Sequence, residues 1–166
     1  MPTDLPTHTL AVLNHRETPS VDLTRKVPRS GYESLGGIVF VPRAIDKARA
    51  DVSGSIGSYF SRTGFSADLF EFLGISVEAF HNAVKTCDTD AEVLAWLKTN
   101  MANRSSEEVT TWNTSIMTRV PTTPEGKARY RQFMEDMDQA HRTDVTRQLD
   151  RLDLDEGRDV PLGGRC

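Results

Sequence analysis

Between Leu35 and Ala50 the chain reads Leu-Gly-Gly-Ile-Val-Phe-Val-Pro-Arg-Ala-Ile-Asp-Lys-Ala-Arg-Ala, and no other stretch restricts the fold as much. Pro42 suits the first turn of a helix, where its missing N–H does no harm, and would break one further in. A helix starting there should run to about Ser53-Gly54 and carry Arg43, Asp46, Lys47 and Arg49 at helical spacing. Asp46 lies three residues after Arg43 and three before Arg49, so both guanidinium groups are expected to reach its carboxylate. Two readings stay open. One is structural: a row of surface ion pairs, or a buried network that pins the helix. The other is an anion or carboxylate pocket with Arg43 and Lys47 one turn apart, supplemented by N–H donors at Gly36-Gly37 and the helix amino terminus. An ion-paired carboxylate makes a poor general acid, so Asp46 would orient the cations rather than donate protons.

The rest of the chain is punctuated like a helical protein. Ser66 is placed to cap a short helix that Gly74 ends in the left-handed conformation. Ser76 opens another, with Val77, Phe80, Ala83 and Val84 on one face. Thr89-x-x-Glu92 and Ser105-x-x-Glu108 both spell capping boxes. Thr123-Pro124-Glu125 is a further start signal for a helix reaching about Gln139, and a last one is expected from about Thr143 to Leu152. Gly37 to Val41 is the best strand candidate, but one short apolar run cannot form a sheet alone. The fold class is all-α, a compact bundle of about six helices. Residues 1–32 hold four of the eight prolines and read as an extended amino-terminal arm, its first twenty residues the least ordered. Residues 33–158 form a single helical domain, and 159–166 a tail expected to fray.

Composition narrows the function classes. A net charge of -4 argues against nucleic acid as a partner. The apolar runs are too short to cross a bilayer, and Met1-Pro2-Thr3-Asp4 opens no signal segment, so a cytoplasmic location is expected and a membrane partner is not. Cys87 and Cys166 are the only cysteines, and His8, His15, His81 and His141 show no metal-ligand spacing, so neither metal nor cofactor is expected. The acidic group Asp150, Asp153, Asp155 and Glu156 is not an EF-hand, because Gly157 follows too soon. It reads as a solvated turn, with a carboxylate pair meeting Arg43 or Lys47 across the bundle as the second reading. No P-loop, Rossmann fingerprint, G-x-S-x-G or H-E-x-x-H is present.

The pattern Leu35-Gly36-Gly37, four residues, Pro42-Arg43, two residues, Asp46-Lys47-x-Arg49-Ala50 resembles the signature of a bacterial family catalogued as a domain of unknown function. Asp22-Leu23-Thr24, Pro28-Arg29-Ser30, Gly57, Tyr59, Phe72-Leu73-Gly74-Ile75, Trp96, Trp112-Asn113, Asp150, Asp153 and Glu156-Gly157-Arg158 follow in that family's order. The resemblance implies a focus on these residues and supplies no reaction. Many relatives carry a polar run with Cys and Pro after the Gly-x-Tyr, where this chain has Phe60-Ser61-Arg62-Thr63-Gly64-Phe65; a pocket lined by that run would differ here.

The expected site residues are Asp46, Lys47 and Tyr59 as the reacting group, with Arg43, Arg49, Trp112 and Asn113 binding. Tyr59 is placed to return its hydroxyl to the charged helix, as a structural bond or a proton donor. His81 reads as a packed or exposed residue beside an apolar face. Trp96 and Trp112 are core candidates, and Trp112-Asn113 could instead put an indole and an amide on a pocket wall. The leading expectation is a protein that binds a small anionic or oxygen-rich metabolite, as a cofactor-free lyase, isomerase or cyclase. The competing one is a non-catalytic interaction module whose charged helix face meets a partner protein or a second copy. A buried cluster of Arg43, Asp46, Lys47 and Tyr59 around a cavity would favour the first, and a flat exposed row of those charges the second.

Overall fold

A computed structural model describes residues 21–166; His8 and His15, and the expected looseness of the first twenty residues, lie outside them. The described residues form one small hairpin and seven helices. The hairpin pairs β1 (Ser34–Leu35) antiparallel with β2 (Ile38–Val39). Its turn is Gly36-Gly37, with φ of 61° and 81°. Positive φ at both central residues is the tight-hairpin geometry that glycine adopts without strain. The apolar run thus finds a strand partner in the residues just before the glycines.

Phe40 follows at φ 72° and caps α1 (Val41–Val52), with Pro42 in the first turn. α1 is the axis of the molecule. Every residue from Val41 to Ala50 is buried, the charged ones included. Ala44, Ala48 and Ala50 let neighbours approach closely, while Ile45 joins the central core with Phe40, Leu69, Leu73, Phe80, Leu97, Ile116 and Leu149. Packing such a helix on all sides is what turns its charges into a structural problem.

Local capping explains most of the other elements. α2 (Phe65–Leu73) ends at left-handed Gly74 as expected, but starts from Gly64. Ser66 sits inside the helix, fully buried, with no partner for its hydroxyl, so it is not the cap. α3 (Val77–Thr86) is capped by Ser76, whose Oγ accepts from the Ala79 N–H at 3.1 Å. α4 (Asp90–Asn100) and α5 (Ser106–Met117) both begin with the expected capping boxes, at Thr89/Glu92 and Ser105/Glu108.

α6 (Pro124–Asp136) stops short of Gln139. Asp138 turns left-handed at φ 56°, and Gln139 N–H returns to the Met134 carbonyl at 2.7 Å. That 6→1 closure is a Schellman motif, here built on Asp instead of Gly. α7 (Gln148–Asp155) starts later than expected. Residues before it are fixed by tertiary bonds: Arg142, which also forks locally onto Asp144, donates to the Val160 carbonyl at 3.1 Å, and the Tyr130 hydroxyl donates to the Val145 carbonyl at 3.1 Å. Tyr130, Met134, Val145 and Val160 form a second, smaller core. α7 closes with another Schellman bond, Arg158 N–H to the Asp153 carbonyl at 2.8 Å, around Gly157 at φ 75°. This turn aims Glu156 and Arg158 back at α1. The last residues stay close to α7, with Arg165 Nε 2.8 Å from Asp153. Among the described residues no helix is long and apolar enough to cross a membrane.

Candidate functional site

Burial of α1 forces each of its charges to find a partner from elsewhere in the chain. Asp46 does not take Arg43 and Arg49. Its carboxylate is held by Arg29, through Nε at 3.0 and 3.2 Å, Nη2 at 2.8 Å and the Arg29 backbone N–H at 2.9 Å. Arg29 also donates to Asp90 and to the Pro42 carbonyl, the latter at 3.1 Å. Burial works to raise the pKa of Asp90, but the hydrogen bonds and charges of Arg29 and Arg49 outweigh it and hold the carboxyl below its ordinary range. Arg49 reaches Asp90 at 3.1 Å and the carbonyls of Cys87 and Asp88 at 3.3 and 3.2 Å, pinning α1 to the start of α4.

Arg43 is 2% exposed and forks onto Glu156, at 2.8 and 2.5 Å, while donating to the Arg29 carbonyl at 3.0 Å. Arg158 backs this pair from behind, donating to Glu156, to the Pro28 carbonyl and to Asp153 at 3.3 Å. Glu156 therefore takes the second reading of the acidic group, meeting Arg43 across the bundle. The solvated-turn reading is corrected for Asp150 and Asp153 too, while Asp155 is exposed. Asp150 and Asp153 are 1% and 0% exposed, bonded to the Tyr32 hydroxyl at 2.8 Å and the Ser30 hydroxyl at 2.9 Å.

Lys47 is the exception. It is 6% exposed, and among the described residues no carboxylate, carbonyl or hydroxyl pairs with its ammonium. Its Nζ lies over a ring instead, 5.0 Å from the centroid of Phe40. Burial, followed by the positive charge of Arg43, depresses its pKa from 10.5 to about 7 against the weaker opposing pull of Glu156. Phe40 itself is a bulky residue in the left-handed region, a costly conformation that the surrounding packing must hold. Every other buried cation among the described residues has a carboxylate: Arg43, Arg49 and, if protonated, His81.

Tyr59 is half-buried and its ring lies over the Arg43 guanidinium, 5.8 Å from centroid to Cζ. Burial and then the Glu156 charge push its hydroxyl up to about 12, so it keeps its proton at neutral pH. The same side chain lines a depression of about 640 Å³ with Ser58, Arg25 and Lys26. Tyr59 thus belongs both to a basic surface hollow and to the buried Arg43–Glu156 pair.

Trp112 and Asn113 are not brought to these charges. Asn113 ties α5 to the hairpin, accepting from the Val39 N–H at 3.1 Å and donating to the Gly37 carbonyl at 2.8 Å. Trp112 stacks on Phe72 at 4.8 Å and lines a separate cavity between α2 and α5 with Arg104. His81 is 3% exposed and packed: Nδ1 lies 2.8 Å from the Val77 carbonyl, and Nε2 lies 3.0 Å from Ser61 Oγ and 3.2 Å from Asp51. Among the described residues no three His, Cys, Asp or Glu side chains group as metal ligands.

Sequence reasoning missed Arg29 and Asp90 as functional neighbours. The available signal was electrostatic: three buried cations on one helix with one buried carboxylate demand anions from outside it. A family model described as a domain of unknown function (DUF5069) matches residues 25–158. No curated protein matches the chain.

Proposed function

The chain belongs to the DUF5069 family, and for it we propose the binding of a small anionic, oxygen-rich metabolite at Lys47. The reaction class that suits the site is a cofactor-free lyase, isomerase or cyclase step. One observation carries this reading: among the described residues Lys47, 6% exposed, makes no ion pair, while Arg43, Asp46 and Arg49 on the same helix each make one. Leaving a buried charge unpaired costs several kcal/mol, and a site that bears such a cost is one where a ligand supplies the missing charge. Arg25 and Lys26 draw anions toward the hollow at Tyr59. Arg43, Asp46 and Arg49 have their partners already, so their part is to hold Lys47 and Tyr59 in place. The row is 2–8% exposed, which counts against an interaction module that reads these charges from outside.

Calorimetry with propionate, malonate and pyruvate tests the reading. A bound carboxylate favours the ammonium form and raises its pKa, so binding takes up a proton wherever free Lys47 is neutral. Affinity should be steady below about pH 7 and fall by about tenfold per pH unit above it. Lys47→Met should weaken binding by about tenfold or more, the loss of one charge-assisted contact of about 1.4 kcal/mol. Undiminished binding in Lys47→Met would exclude Lys47 from the site.

A further inference from the structure

We infer that Lys47 is a nucleophile that condenses with the carbonyl of a small oxo acid to form an imine. This rests on the anion-binding reading above and names the substrate class of that same site. An amine becomes reactive toward a carbonyl when burial and a neighbouring cation favour its neutral form. Lys47 meets both conditions by position. It is 6% exposed, its amine faces the Phe40 ring instead of an acceptor, and Arg43 stands one turn earlier on the same face of α1. Its depressed pKa, about 7, keeps both forms populated at neutral pH, the ammonium to attract the carboxylate and the amine to attack. An oxo acid offers one functional group to each.

The step balances without an outside oxidant or reductant. The Nζ lone pair attacks the carbonyl carbon, the C–N bond forms, and the π pair moves onto oxygen. A proton passes from nitrogen to that oxygen, giving a carbinolamine. A second proton converts the hydroxyl to a leaving water, the C–O bond breaks and the imine remains. Surroundings poor in water favour this dehydration. The protonated imine then acts as an electron sink for breaking a bond beside the former carbonyl carbon, which is lyase or isomerase chemistry. Tyr59 keeps its proton, bonds Glu156 and lies against Arg43, so it braces the pair whose charges act on Lys47.

Incubation of the full chain with pyruvate and cyanoborohydride near pH 7.5, followed by intact mass and peptide mapping, tests this. The expected result is one reduced pyruvyl group per chain, located on Lys47, while exposed Lys26, Lys85, Lys98 and Lys127 stay essentially unlabelled. Excess propionate, which has the carboxylate and no carbonyl, should suppress the adduct. Lys47→Arg and Lys47→Met should both abolish it. Labelling spread evenly over the exposed lysines would overturn the proposal. No adduct while propionate still binds would overturn the imine alone and leave the anion reading standing. Neither adduct nor propionate binding would overturn both.

Discussion

Asp46→Ala is expected to destabilise the protein by about 2 kcal/mol, less than the loss of one partner from a fully buried ion pair costs, because the Arg29 side chain left behind is 32% exposed. In a chain of this size that lowers the melting temperature by about 6 °C. Asp46 accepts both the side-chain fork and the backbone N–H of Arg29, so its removal orphans several donors at once. Asp90 still holds the other side of the same guanidinium, which also limits the loss. Asp46→Asn retains the acceptor oxygen, loses the charge, and should cost roughly half as much. Thermal melts of the two variants check this, and a negligible shift in both would mean the Arg29–Asp46 contact does not anchor α1.

Helix starts were legible because they are decided within four residues. Ser76, Thr89, Ser105 and Thr123 each cap the helix that follows through a side-chain oxygen. Gly74 ends α2 for an equally local reason. The stop of α6 was not legible, since Asp138 takes a left-handed conformation that Asp adopts only occasionally. The late start of α7 depends on Tyr130 bonding to the Val145 carbonyl and Arg142 to the Val160 carbonyl across the second core, which no local pattern encodes. The charged site divides the same way. Spacing placed Arg43, Asp46, Lys47 and Arg49 together on α1, but the expected partnership of Asp46 with its neighbours three residues away failed. On an exposed helix those i,i+3 contacts would compete only with water. Enclosure of α1 brings in stronger partners, separated by 17 residues for Arg29–Asp46, 41 for Arg49–Asp90 and 113 for Arg43–Glu156. Once those pairs form, Lys47 is left over, and no sequence pattern distinguishes it from the charges that found partners.

Lys47→Met is expected to stabilise the fold while weakening ligand binding, the trade characteristic of a functional group kept at a cost. Folded Lys47 titrates at about 7 and the unfolded side chain at 10.5. Between those values the unfolded chain holds the extra proton, so wild-type stability rises with pH across the window. The penalty is complete below about pH 7 and gone above 10.5. Met fills the same space without charge, so the variant should be more stable by about 5 kcal/mol at pH 6, taking 1.36 kcal/mol per pKa unit over the shift from 10.5 to about 7. The gain should shrink steadily to near zero by pH 10.5. Denaturant unfolding of both proteins at several pH values checks the sign and the window. A variant that is less stable at every pH would mean Lys47 supports the fold and has no uncompensated charge.

Titration of the Lys47 amine by NMR, following the ε-carbon and ζ-nitrogen shifts in selectively labelled protein, reads the central claim without any substitution. A midpoint near pH 7 is predicted, well below the ordinary lysine value of about 10.4. Saturating propionate should move that midpoint upward by a unit or more, as the carboxylate supplies the missing counter-charge. A midpoint at the ordinary lysine value, unmoved by any carboxylate, would contradict the account.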